Sequence, residues 1–67
     1  MPPRETPLQM AERHVCQGEA LITRQRALID RLARDGHPTD EARKLLREFL
    51  EAQAEHVAHW QRLLNSN

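Results

Sequence analysis

The sequence predicts an all-α protein: an antiparallel two-helix hairpin, about residues 7–35 and 40–64, that assembles as a homodimeric four-helix bundle. Three observations carry this expectation. Apolar residues recur in heptad steps through both halves of the chain. One cluster of helix-breaking residues, Gly36 and Pro38, separates the halves. Strand signals are nearly absent, with one Phe, one Trp, no Tyr and no sustained alternation of apolar and polar residues.

Residues 1–6 read as a flexible N-terminal arm, and residues 7–67 as the hairpin domain. The first helix has a clear start. Thr6 can cap it, Pro7 suits the first helical position because its missing N–H is not needed there, and Gln9 completes a capping box. From there Leu8, Ala11, Val15, Gly18, Ile22, Gln25, Ile29 and Leu32 follow one another at alternating steps of 3 and 4 residues, a heptad seam. His14, Leu21 and Leu28 lie beside the seam and widen the apolar face.

The stretch "RDGHPTDEAR" then reverses the chain. Gly36 can adopt the left-handed conformation that ends a helix, and Pro38 cannot continue one. Thr39 is placed to cap a second helix, with Asp40 and Glu41 favourably set against its dipole. This helix carries Ala42, Leu46, Phe49, Gln53, His56, Trp60 and Leu63 in heptad steps, flanked by Leu45, Leu50, Val57 and Leu64. Each helix is about 40 Å long at about 1.5 Å per residue. Folding at residues 36–38 sets Ile29 against Leu46, Ile22 against Gln53, and Trp60 near His14, Val15 and Gly18. Gly18 costs a helix about 1 kcal/mol relative to Ala, and a bulky Trp60 packed over it accounts for its presence.

A single hairpin of 67 residues builds a small core. Its stripes are too broad for one neighbour, and Leu21, Leu28, Leu45 and Leu50 are expected to stay wet unless a second hairpin covers them. Gln25 and Gln53 interrupt the seam as buried amides that bond each other or the partner hairpin and fix register.

Among groups that carry chemistry, His14, His56 and His59 are the metal candidates, because the hairpin brings His14 to the end that holds the other two. No H-E-x-x-H or paired Glu-x-x-His pattern supports them. Cys16 lies off the seam with no base or pocket implied, and a lone cysteine excludes an intrachain disulfide while suiting a reducing compartment. Asp35, His37 and Asp40 around the turn are explained by helix-end chemistry. No glycine-rich phosphate cradle or Ser–His–Asp arrangement appears, so no catalytic residue and no cofactor is expected.

Charge narrows the partners. Ten basic and ten acidic residues cancel, which removes any global pull toward nucleic acid or anionic lipid. Arg24, Arg26, Arg31, Arg34, Arg43, Lys44 and Arg47 gather toward the turn, interleaved with Asp30, Asp35, Asp40, Glu41 and Glu48. Small dimeric hairpins of the Rop type bind RNA, so a nucleic-acid-binding hairpin stands as the alternative reading, followed by a His-based metal-binding protein. No apolar run reaches the ~18 residues of a membrane span, and "MPPRETP" lacks the apolar core of a signal peptide. A cytoplasmic protein is expected.

The run "HVCQGEALITRQRALIDRLARDGHPTDEARKLLREF", with the later "QAEHVAHWQRLL", resembles a group of short α-helical proteins of unknown function from proteobacteria. Their pattern is met here by His14, Gly18, Glu19, Arg24, Gln25, Arg26, Asp35, Gly36, Thr39, Glu41, Ala42 and His56. The segment "HVAHW" departs from it, so His59 and Trp60 belong to this chain rather than to the pattern. The resemblance implies a helical hairpin and brings no activity with it. The sequence thus points to a homo-oligomerising structural or protein-interaction module without catalytic activity, for which a further protein partner is possible.

Overall fold

The computed structural model describes residues 4–66. Two helices, α1 (Pro7–Arg34) and α2 (Asp40–Asn65), run antiparallel and pack on each other, with no strand among the described residues. Residues 1–3 of the expected arm, and Asn67, lie outside the described residues.

The start of α1 is built as its sequence requires. Thr6 Oγ1 accepts from the Gln9 N–H at 3.1 Å, Gln9 Oε1 accepts from the Thr6 N–H at 2.9 Å, and Pro7 follows the cap. Just ahead of the helix, Glu5 is tied down by Arg13, whose Nε and Nη2 donate to its two carboxylate oxygens at 2.8 and 3.0 Å. The hydrogen bonds and charge of Arg13 hold the Glu5 carboxyl below its ordinary value, and Glu5 in turn raises Arg13.

At the turn, Gly36 takes φ +75°, the left-handed conformation that a side chain disfavours. The Gly36 N–H donates to the Ala33 carbonyl at 3.2 Å and the His37 N–H to the Leu32 carbonyl at 2.9 Å. This pair of bonds is a Schellman motif, and it satisfies carbonyls that the last turn of α1 would otherwise leave open. Thr39 occupies the cap position of α2 but makes no cap hydrogen bond. With φ −113° and ψ 1° it lacks the extended conformation that aims a cap side chain at the first helical N–H groups, and its Oγ1 accepts from Arg43 Nε at 3.0 Å instead. The first turn of α2 relies on Asp40 and Glu41 against the dipole.

Every residue of both heptad seams is buried or half-buried. The burial is uneven. Ala11, Val15, Gln25 and Ile29 of α1 are buried, while no residue of α2 is. Of the flanking residues, Leu28 and Val57 are half-buried, whereas Leu21, Leu45, Leu50 and Leu64 remain 40–46% exposed. The molecule is a slab of 50 × 28 × 12 Å, about one helix thick. It exposes 5549 Å², against about 4,400 Å² for a compact monomer of this mass.

The register differs from the sequence expectation by about one helical turn. Gln53 lies beside Val15 and Gly18 rather than Ile22, and the space over Gly18 is filled by the Gln53 amide rather than by Trp60. The reason lies in the turn. The Schellman motif folds the chain back over the last turn of α1, so residues 36–39 already descend along it before α2 begins. Trp60 therefore stands level with Leu8 and Ala11, beyond Gly18.

Of the two pairings expected for the glutamines, the one within the hairpin is not made: they do not bond each other. Gln25 Nε2 donates to the Ala42 carbonyl of α2 at 2.8 Å, and Gln53 Nε2 donates to the Val15 carbonyl of α1 at 2.9 Å. A carbonyl has two lone pairs, so an oxygen already used in the helix can accept a second donor. The two amides stitch the helices together by backbone, one from each side.

Candidate association face and histidine pair

The slab has two broad faces, and the heptad decides what each carries. One face bears Leu21 and Leu28 from α1 with Leu45 and Phe49 from α2 along its middle. Leu21, Leu28 and Phe49 line one shallow cleft there with Arg24 and Arg31; Leu28 and Leu45 line another with Glu41, Lys44 and Glu48. The opposite face exposes Leu50 and Leu64 of α2, and a cleft on it is lined by Arg26, Ile29, Asp30, Arg43 and Leu46.

The first face sorts its charges by edge. Arg24 and Arg31, seven residues apart, project along the outer edge of α1, and Glu41, Glu48 and Glu55, again at sevens, along the outer edge of α2. All five are exposed. The one ion pair among the described residues within bonding distance is Arg13 with Glu5, so these edge charges have no partner within the hairpin. Read in chain order the charges looked interleaved; the seven-residue spacing is the signal that separates them.

Farther from the turn the same face holds His14 and His56. Their ring centroids are 5.4 Å apart and their planes tilted by 49°, bringing together two of the three metal candidates. A cleft of about 120 Å³ beside them is shared with Leu21, Phe49 and Gln53. His59 is exposed and does not complete a site: among the described residues no three His, Cys, Asp or Glu side chains are grouped to hold a metal ion. Its position three residues beyond His56 sets it at the rim of the face, whereas His56 lies in the seam. Two imidazoles form half of a tetrahedral set.

Among the described residues two buried side-chain polar atoms lack partners, Gln53 Oε1 and Trp60 Nε1. The first follows from the stitch, since turning the Gln53 amide to bond the Val15 carbonyl aims its oxygen at Gly18. Cys16 is exposed on α1. His37 and the acids Asp35 and Asp40 are exposed at the turn. No helix is long and apolar enough to cross a membrane among the described residues.

No protein-family model matches this chain, and neither a curated protein nor a solved structure matches it significantly.

Proposed function

We propose that the hairpin is a homo-oligomerising interaction module without catalytic activity, built to close into a four-helix bundle with a second copy. The observation that supports this is the single-layer architecture. A domain ordinarily buries the apolar side of each element between two layers, and this slab has one layer, 12 Å thick, with leucines 40–46% exposed on its faces. Its surface exceeds that of a compact monomer by roughly 1,100 Å², more than the ~800 Å² that each partner of a standard interface buries. The exposed thiol of Cys16 suits a reducing compartment, in keeping with a cytoplasmic setting. Light scattering on a gel-filtered sample tests the proposal. The expected mass is twice that of the chain, and a well-folded monomer at micromolar concentration would remove the reading.

A further inference from the structure

Resting on that reading, we propose that the second copy docks on the face carrying Leu21, Leu28, Leu45 and Phe49, about a twofold axis parallel to the helices, with Arg24 and Arg31 of each copy against Glu48 and Glu41 of the other. The argument begins from the two charged edges. They bear opposite signs, lie on opposite sides of one apolar strip, and have no ion-pair partner among the described residues. A molecule that is basic along one edge and acidic along the other is complementary to itself, provided the symmetry brings unlike edges together.

Only one face-to-face arrangement does so. A twofold axis parallel to the helices lays α1 of one copy over α2 of the other, antiparallel, without shifting either along the axis. Heights are then inherited from the hairpin register, which the Gln25–Ala42 and Gln53–Val15 bonds fix. Arg24 falls between Glu41 and Glu48, and Arg31 within about a helical turn of Glu41, well inside the combined reach of the side chains. The other arrangement, with the axis across the helices, lays α1 on α1 and α2 on α2, setting arginine against arginine and glutamate against glutamate. Like charges at that range oppose association. Lys44, between Glu41 and Glu48 and level with Arg24 of the other copy, is the one basic group within the acidic edge near the turn, and Arg62 closes that edge at the far end.

The opposite face does not offer this match. That face mixes its signs along each edge: α1 carries Glu19, Arg26 and Asp30 there, and the same operation would set Arg26 of one copy level with Arg43 of the other even as Glu19 comes level with Arg47. Area agrees with the choice of occupant, since a 50 × 28 Å face is large enough for the ~800 Å² per partner of a stable dimer.

Charge reversal tests the arrangement. Two variants are made, one with Arg24→Glu and Arg31→Glu, the other with Glu41→Arg and Glu48→Arg. Each alone is expected to dimerise at least about tenfold more weakly than the parent chain. Mixing the two restores a dimer with one copy of each. All four substitutions in a single chain restore the homodimer, a result that unfolding of either edge variant cannot mimic. If the parent chain is dimeric and the edge variants neither weaken nor complement each other, this geometry is overturned while the homodimer stands. Edge variants that each dimerise as well as the parent chain, yet pair preferentially with one another when mixed, point to the crossed axis, where each helix meets its own copy, and equally overturn it. A monomeric parent chain removes both readings.

Discussion

Gly18 and Gln53 are the residues on which the packing of the hairpin turns. A Cβ built on Gly18 would overlap the Gln53 carboxamide, its oxygen closest and its Cδ at 2.7 Å, so the glycine is needed for the amide rather than for an indole. Replacing it by alanine relieves about 1 kcal/mol of helix propensity. The same change displaces a flexible side-chain end and removes its bond to the Val15 carbonyl, a loss of similar size. Gly18→Ala should therefore change stability by less than about 1 kcal/mol. Gln53→Ala should cost about 1 kcal/mol in the parent chain but almost nothing beside Ala at 18. Urea melts of the four chains in a double-mutant cycle measure that coupling; additive effects would show that the amide bond contributes nothing.

The two helices differ in how their ends are secured, and the sequence makes them look more alike than they are. Both begin after a threonine, yet Thr6 makes a reciprocal capping box while the Thr39 hydroxyl oxygen accepts from Arg43. Thr6→Ala is expected to cost about 1 kcal/mol, and Thr39→Ala clearly less, in thermal melts of the two variants compared side by side. Equal losses would contradict the difference in their roles. The end of α1 is secured differently again, by backbone alone, through the left-handed Gly36.

Which features could be foreseen follows from the range of the forces behind them. Helix spans, the seam residues, the Thr6–Gln9 box and the glycine stop are set by local chemistry, and periodicity displays them. Longitudinal register is not local. A heptad pattern tolerates sliding, so Gln53 looked as well placed opposite Ile22 as beside Gly18. The geometry of five loop residues decided the matter, together with amides that prefer a carbonyl to each other. The histidine pair was legible because both residues sit toward the same end under either register.

At the scale of the whole molecule the lack of a second layer governs stability. The four residues that α1 buries, Ala11, Val15, Gln25 and Ile29, include one amide and one methyl side chain, a small core even for a short chain. An oligomer that binds the folded hairpin and not the unfolded chain adds to its stability by mass action. The melting temperature should thus rise with protein concentration, by several degrees over a hundredfold range, when followed by circular dichroism. A melting temperature independent of concentration would mean that the slab stands alone.

The turn also gives the slab a direction. Pro7 and Asn65, the outer ends of α1 and α2, lie together at the end remote from Gly36. Under a twofold axis parallel to the helices, the bundle inherits that polarity: two turns emerge at one pole and four helix ends at the other. Anything joined to the chain at either end would be gathered at a single pole of the bundle. The crossed axis would instead send the joined segments of the two copies to opposite poles, about 50 Å apart.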